Sequence, residues 1–239
     1  MRIMGLSEDL SKYAKALEID FIGFSPADNF DAAPEDRKPK VYLEDALSIV
    51  SIGYRLNYTS IQNLPESRSV YMLEHDYANR HLDQSSHKVT RFLEKRGFKA
   101  IGFDAGAGFY AKIGKSPETI AGDFSHKHAA VASGLGKFGL NNLVLSSKWG
   151  PRIRLTTIIT NAQLEYSRAH EENPCPADEC MKCIEICPVH ALDGWKGKYD
   201  PEEGWVMDKR KCYDYAFITL KGQRCGLCIK VCPVGLNGL

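Results

Sequence analysis

Apolar and polar residues alternate along the first 160 positions with two distinct periods. Apolar residues recur every three or four positions over residues 6–18, which predicts an amphipathic helix with Ser7 as its N-cap. The same period predicts a second helix from residue 70 to Gly97, because glycine suits a helix C-terminus. A third helix, rich in small residues, is predicted over residues 126–133.

Short apolar runs between these helices predict strands. The strands are expected at residues 20–25, 46–54, 98–103 and 150–160. The last run alternates, so Arg152, Arg154 and Thr156 should share one face of the sheet. On the second helix, the residues predicted to fall mostly on one side are Leu73, Tyr77, His81, His87, Val89, Phe92 and Leu93.

The overall charge and hydropathy exclude two classes of protein. A formal net charge of +1 over 239 residues argues against a chain built mainly to coat nucleic acid, which needs a strongly basic surface. No apolar run approaches the roughly 20 residues that span a bilayer. The chain starts without an apolar signal segment. We therefore expect no membrane span and a cytoplasmic, reducing location.

All eight cysteines lie in the last third of the chain, from Cys175 to Cys232. The pattern Cys-Ile-x-(Ile/Val)-Cys-Pro-Val occurs twice, beginning at Cys183 and at Cys228, with an offset of 45 residues. Such a repeat indicates two copies of one metal-binding unit. Eight thiols in two units are what two [4Fe–4S] clusters require. The cluster domain is predicted over residues 166–239, after a mixed α and β domain of residues 1–165.

In two-cluster ferredoxins, the cysteine that precedes proline binds the other cluster. On that pattern one cluster is assigned to Cys175, Cys180, Cys183 and Cys232, and the other to Cys187, Cys212, Cys225 and Cys228. Zinc also binds paired Cys-x2-Cys turns, but it does not explain the later Cys-Pro pairs. A disulfide framework is typical of small secreted chains, and this chain is larger.

Two further segments contain candidate ligand-binding residues. Gly106-Ala-Gly108-Phe-Tyr110-Ala111 formally fits a dinucleotide fingerprint, but no acidic residue closes a following strand, so a tight turn beside a pocket is favoured. The second segment runs from Gly134 through Gly136 and Gly139 to Asn141 and Asn142, where backbone can approach a ligand closely. Asp123, His126 and His128 precede it.

The ordered set of motifs resembles the cobalamin-dependent iron–sulfur reductases, which comprise the reductive dehalogenases and the epoxyqueuosine reductases. The residues that carry the resemblance are a helical Asp76-Tyr77 pair, Gly134-Leu-Gly136-x-x-Gly139-x-Asn141, Gly150-Pro-Arg152-x-Arg154 and the two four-cysteine units. The resemblance implies an α+β chain: a nitroreductase-like α/β domain that holds a corrinoid, followed by a ferredoxin-like domain with two [4Fe–4S] clusters.

The implied chemistry is a reductive cleavage in which low-valent cobalt, reduced by the clusters, attacks or accepts a leaving group while a nearby acid supplies a proton. The residues implied in binding the corrinoid are Gly134, Leu135, Gly136, Gly139, Asn141, Asn142 and Arg152. The catalytic candidates are Tyr77, Tyr110, Asp123, His126, His128 and Arg154. Each has a simpler interpretation: the tyrosines as core or rim aromatics, one histidine as a surface residue, and Arg154 as a sheet-edge ion pair.

The chain departs from the epoxyqueuosine reductases in two respects. His126 stands at the position equivalent to a glutamate of those enzymes, and the nearest carboxylate, Asp123, is out of register. The chain also stops at Leu239, before the segment that binds tRNA in those enzymes. The expected partners are therefore a small-molecule substrate and a low-potential electron donor of the ferredoxin or flavodoxin type, with tRNA not expected. The alternatives are an electron-transfer protein that reduces a partner such as a corrinoid protein, and a flavin in the pocket.

Overall fold

The computed structural model describes residues 5–106, 120 and 122–238. Its helices are α1 Leu6–Ala16, α2 Pro39–Tyr42, α3 Tyr58–Gln62, α4 Arg68–Glu94, α5 His126–Ala132, α6 Lys182–Glu185, α7 Lys209–Asp214 and α8 Leu227–Lys230. Its strands are β1 Phe21–Pro26, β2 Ser48–Arg55, β3 Ala100–Gly102, β4 Lys137–Phe138, β5 Val144–Leu145 and β6 Ile153–Thr160. The three long helices and four main strands expected from the apolar pattern are all present, with ends shifted by a few residues.

Four strands form one antiparallel sheet in the order β1-β2-β6-β3. Strand β6 lies inside this sheet, with Ser48 of β2 and Ala100 of β3 both opposite its Thr160. Both central strands are apolar on either face, and Ile49, Ile52 and Ile158 are fully buried. Helices α1 and α4 pack with the sheet in the main core, while α5 contacts β2 and β6. The sheet therefore places the ends of α4, α5 and β6 close together.

The long helix α4 confirms the second predicted helix, but the predicted face is wrong in its first half. Leu73 is 54% exposed and Tyr77 is 58% exposed. The residues that the helix buries are Tyr71, His75, Ala78, Leu82, Ser85, Ser86, Val89 and Leu93. The helix thus turns a partly polar face inward, which a search for large apolar residues does not find. At the start of α1, the N-cap is Gly5, and the predicted cap Ser7 lies within the helix.

The cysteine-rich part packs against the first part through a shared apolar cluster. Leu140 lies in this cluster with Cys183, Trp195 and Trp205. Across the same junction, the amide of Asn142 donates to the carbonyl oxygen of Trp205 at 3.0 Å. The division at residues 165 and 166 stays a prediction. Within residues 5–106, 120 and 122–238, no helix is long and apolar enough to cross a bilayer.

Gly134 has a positive φ of 72° and faces protein backbone. A Cβ at this position would collide with the carbonyl oxygen of Arg168. We expect Gly134→Ala to lower the free energy of unfolding by roughly 3–4 kcal/mol, because backbone strain and the collision add. Gly97 is the matched control, since its φ is 86° and nothing lies near a Cβ there. Gly97→Ala should cost about 1–2 kcal/mol in chemical denaturation, and equal costs would contradict the collision.

Candidate cluster and active site

Most electrostatic contacts among the eight thiols fall within two groups, and one contact, between Cys183 and Cys228, connects the groups. Burial raises the pKa of Cys183 to about 12, and the thiols of Cys175, Cys232 and Cys180 raise it further. Burial also raises the pKa of Cys228, with Cys225, Cys212, Cys183 and Cys187 acting in the same direction. We call Cys175, Cys180, Cys183 and Cys232 the first thiol group. The second thiol group is Cys187, Cys212, Cys225 and Cys228.

The four members of the first thiol group line one shared cavity. Its walls also include the side chains of Leu140 and Leu145. Buried thiols of this kind are protonated at neutral pH unless a positively charged metal centre stabilises the thiolates. Among the described residues, no three metal-binding side chains converge as they would around a single ion. The number of thiols around one cavity is what a [4Fe–4S] cluster bound by these four cysteines requires.

Arg152 attaches the first thiol group to the sheet. Its side chain is fully buried. The guanidinium donates to the carbonyl oxygen of Val234 at 2.8 Å and to the carbonyl oxygen of Cys232. The prediction that Arg152 binds a corrinoid is untested, but this geometry gives the residue a structural role next to the cysteine.

The second thiol group adjoins a set of polar side chains that surround Arg154 of β6. The turn from Cys225 to Cys228 packs closely against the ring of Tyr71. A Cβ added to Gly226, within this turn, would lie only 2.9 Å from that ring. Burial raises the pKa of Tyr71 to about 12, while the charge of Arg154 lowers it and the thiols of Cys228 and Cys225 raise it. Tyr71 therefore lies between the second thiol group and Arg154.

Arg154 is the centre of these polar side chains, which we call the Arg154 cluster: Tyr71, His75, Asn79, Asp83, His126 and Arg154. Its guanidinium donates to Asn79 Oδ1 at 2.7 Å and to the carbonyl oxygen of Ala105 at 2.8 Å. His75 is 5% exposed, and burial lowers its pKa to about 3, helped by the charges of Arg154 and Arg224. Arg154 and the nearby Arg224, which lies outside the cluster as defined, thus place two guanidinium groups near a neutral imidazole.

His126 joins the Arg154 cluster from the start of α5. Its Nε2 lies 2.8 Å from the carbonyl oxygen of Asp104, and its Nδ1 lies 2.8 Å from the hydroxyl of Thr157. A carbonyl only accepts, so Nε2 carries the proton and Nδ1 accepts from Thr157. Burial lowers the pKa of His126 to about 4. The imidazole is therefore neutral at pH 7, and both of its nitrogens are hydrogen-bonded.

Asp83 is a candidate that the sequence reasoning missed. Its Oδ1 accepts a hydrogen bond from the backbone N–H of Ala105 at 2.7 Å. Burial raises the pKa of the Asp83 carboxyl, and the charge of Asp104 acts in the same direction. Tyr71, His75 and Asn79 were also missed. Their spacing of four residues along a predicted helix was a usable signal, because it places all three on one face.

The other catalytic candidates lie apart from the Arg154 cluster or outside the described residues. Tyr77 is mostly exposed, with the guanidinium of Arg80 4.9 Å from its ring centre. His128 points to the other side of α5, where its ring lies 5.0 Å from that of Phe138. The Asp123 carbonyl oxygen accepts from the Tyr42 hydroxyl at 2.7 Å. Tyr110 lies outside the described residues. The structure thus brings His126 and Arg154 together among these six.

The predicted corrinoid-binding segment is packed against the chain itself. Backbone of Arg168 lies against Gly134, backbone of Leu145 against Gly136, and the Leu145 side chain against Gly139. The side-chain oxygen of Asn141 accepts from the backbone N–H of Leu143. Leu135 packs partly buried in the cluster that contains Phe138. These contacts explain the glycines without a cofactor, and a corrinoid-binding role for the segment stays a prediction.

Comparison with known proteins agrees with the motifs. Residues 175–236 match a family described as a 4Fe-4S dicluster domain, which supports the predicted iron–sulfur clusters. The epoxyqueuosine reductase of Bacillus subtilis is 25% identical over 261 residues, covering 98% of this chain and 64% of that protein. A tetrachloroethene reductive dehalogenase of Dehalobacter restrictus is 24% identical over 200 residues, covering 77% of this chain and 32% of that protein. This chain therefore spans less than two thirds of either relative.

Solved structures share the fold. A catabolic reductive dehalogenase in complex with 3-bromo-4-hydroxybenzoic acid superimposes with a TM-score of 0.72 at 20% identity, covering 98% of this chain and 34% of that one. The mixed α/β fold with a dicluster domain is thus confirmed. The chain is epoxyqueuosine reductase/reductive dehalogenase-like, as its motifs predict. The named relatives are oxidoreductases, in agreement with the predicted enzyme class.

One expectation from the sequence is wrong. An epoxyqueuosine reductase was solved with an epoxyqueuosine-modified tRNA-Tyr stem loop, and it matches this fold with a TM-score of 0.65 at 22% identity, over 98% of this chain and 66% of that one. This finding overturns the exclusion of tRNA as a partner. The exclusion rested on where the chain stops, and the position of a terminus says nothing about what a pocket accepts.

Proposed function

We propose that the chain is an iron–sulfur reductase in which the second thiol group passes electrons to an acceptor beside the Arg154 cluster. One observation carries the proposal: the Cys225–Cys228 turn packs on Tyr71, and the charge of Arg154 acts on Tyr71 more strongly than that of Arg224. A cluster bound by these thiols would be separated from Arg154 by little more than one side chain.

The finer features of the proposal come from the resemblance. They are a nitroreductase-like domain of residues 1–165, a ferredoxin-like domain of residues 166–239, and cobalamin as the electron acceptor. A structural neighbour described by a mechanism for B12-dependent dehalogenation supports the corrinoid. When bound, a corrinoid supplies low-valent cobalt for reductive cleavage. The described contacts of the glycine segment are with the chain itself and supply no fit for a corrinoid, so no step below depends on one.

Reductive dehalogenation consumes two electrons and one proton, replaces the halogen by hydrogen and releases halide. Reductive deoxygenation of an epoxide consumes two electrons and two protons, leaves a carbon–carbon double bond and releases the oxygen as water. Arg154 is partly exposed and suits an anionic substrate or leaving group. Asp83 is the carboxyl of the cluster that suits a proton donor, and burial raises its pKa above the ordinary aspartate value. His126 suits a positioning role, because it is neutral and ties Asp104 to Thr157.

The proposed substrate is an organic molecule with a carbon–halogen or carbon–oxygen bond. It is either a small molecule or, as in the epoxyqueuosine reductase solved with a stem loop, a modified base carried on tRNA. Both kinds of substrate present a leaving group that develops negative charge as its bond breaks, which the guanidinium of Arg154 would stabilise. The structure favours neither over the other.

Turnover under anaerobic conditions tests the proposal. Protein with both clusters assembled is reduced chemically and given an epoxyqueuosine-modified stem loop or, separately, a halogenated phenol, with and without cobalamin. We expect mass spectrometry to detect the reduced product of one substrate. Asp83→Asn should slow its formation by about 10²–10⁴-fold. Asp31→Asn, at an exposed carboxylate, is the matched control and should not.

Absence of product from both substrates, with intact clusters that accept electrons, would contradict the proposal. If the reduced clusters are instead oxidised only by a partner protein, the chain is an electron-transfer protein. Equal rates for Asp83→Asn and the unsubstituted protein would remove Asp83 as the proton donor.

A further inference from the structure

Two cationic side chains from the first part of the chain reach the second thiol group. Arg68, the first residue of α4, donates to the carbonyl oxygen of Cys225 at 2.9 Å and to that of Arg224 at 3.2 Å. Its guanidinium also interacts with the Cys225 thiol itself through charge and a hydrogen bond. Arg68 therefore holds the backbone of a cluster ligand and faces its sulfur.

Lys127 approaches the same thiol group from α5. Its Nζ donates to the carbonyl oxygen of Asn142 at 2.8 Å and lies 5.7 Å from the centre of the Phe138 ring. Charge interactions connect it to the thiols of Cys212 and Cys228. Burial lowers the pKa of Lys127 to about 8, and the charge of Lys209 acts in the same direction. No carboxylate is ion-paired with Lys127 among the described residues.

The reduction potential of an iron–sulfur cluster depends on the charge and the hydrogen bonds around its sulfurs. Reduction adds one electron from a low-potential reductant, which is oxidised by one electron, and makes the cluster one unit more negative. No bond breaks and no proton moves. A nearby cation stabilises the reduced cluster more than the oxidised cluster. Cations at this site thus stabilise the reduced form of the iron–sulfur cluster beside Tyr71.

We propose that Arg68 and Lys127 are positioning residues that raise the reduction potential of the cluster held by the second thiol group. Two residues from the first part of the chain would thereby favour reduction of the iron–sulfur cluster that lies next to Tyr71. An electron on that iron–sulfur cluster is the one nearest to Arg154. The inference rests on the proposed function, because it assigns these residues to the electron path of that site. It adds two residues that none of the motifs identified.

A redox titration followed by electron paramagnetic resonance tests this proposal on the full chain with both clusters assembled. The signals of the two clusters are assigned by their loss in Cys180→Ser and in Cys212→Ser. We expect Arg68→Gln and Lys127→Met each to shift the equilibrium of the second cluster about tenfold toward the oxidised form, which is 59 mV for one electron. The first cluster should keep its potential.

Charge-retaining and distant variants are the controls. Arg68→Lys and Lys127→Arg should keep most of the wild-type potential. Arg91→Gln and Lys88→Met, at exposed positions of α4, should leave both potentials unchanged. Unchanged potentials in Arg68→Gln and Lys127→Met, or equal shifts of both clusters, would overturn the proposal.

The iron content of the variants shows whether Arg68 and Lys127 adjust the reduction potential of the second cluster or are needed for its assembly. If the charge-removing variants fail to hold the second cluster, the cations support assembly and the proposal is wrong. If the unsubstituted protein itself assembles no pair of clusters, the proposed function fails. Intact clusters without a shift would count against this inference alone.

Discussion

Cys187→Ser is expected to remove the cluster that also uses Cys212, Cys225 and Cys228, and to leave the other cluster in place. The reason is spatial. Cys187 follows Cys183 by four residues, but its electrostatic neighbours are Cys212, Cys225 and Cys228. Cys183 neighbours Cys175, Cys180 and Cys232, and its one contact with the other group is with Cys228. One substitution in the first cysteine run should therefore damage the cluster that is bound mainly by the second run.

Iron content and electron paramagnetic resonance of the reduced protein measure this effect. Cys187→Ser should lose about half of the iron and the signal of one cluster. Cys180→Ser is the matched control, because it lies in the same run and should remove the signal of the other cluster. If both substitutions remove the same signal, each run binds its own cluster and the crossed arrangement is wrong.

Arg152→Met is expected to lower the free energy of unfolding by roughly 3–5 kcal/mol, the second large effect. The guanidinium is fully buried and donates to the carbonyl oxygens of Cys232 and Val234. Methionine has similar bulk but no donor, so both carbonyl groups would lose their charged partner. The backbone that carries Cys232 would then lose its attachment to the sheet.

Chemical denaturation at constant cluster content measures the loss. Arg91→Met is the control, because Arg91 is exposed and its partner Glu94 lies one turn further along the same helix. That substitution should change stability by less than about 0.5 kcal/mol. A cost below about 1 kcal/mol for Arg152→Met would show that the buried guanidinium does not hold the cluster loop.

The apolar pattern predicts the elements well and the faces less well. The predicted helix from residue 70 exists, but Leu73 and Tyr77 point outward, while His75 and Ser85 are buried. Large apolar residues were a poor guide here, because the inner face of α4 contacts the polar Arg154 cluster. A sequence read without its tertiary partners cannot identify such a face.

The sequence likewise predicts one part of the candidate site and misses another. The two cysteine groups follow from a repeat in the sequence, and their assignment to two separate clusters stays a prediction. The Arg154 cluster combines residues from α4, α5 and β6, and only folding brings these together. The glycines at 134 and 136 had suggested room for a cofactor, whereas each closes a contact with backbone elsewhere in the chain. A glycine alone does not reveal what approaches it.

The most direct test of electron delivery to the Arg154 cluster is a visible spectrum. Anaerobic protein is reduced, freed of excess reductant and mixed with the epoxyqueuosine-modified stem loop or with the halogenated phenol, each with and without cobalamin. The account predicts that the clusters are reoxidised in the presence of one of these substrates. Intact clusters that stay reduced beside both substrates would contradict it.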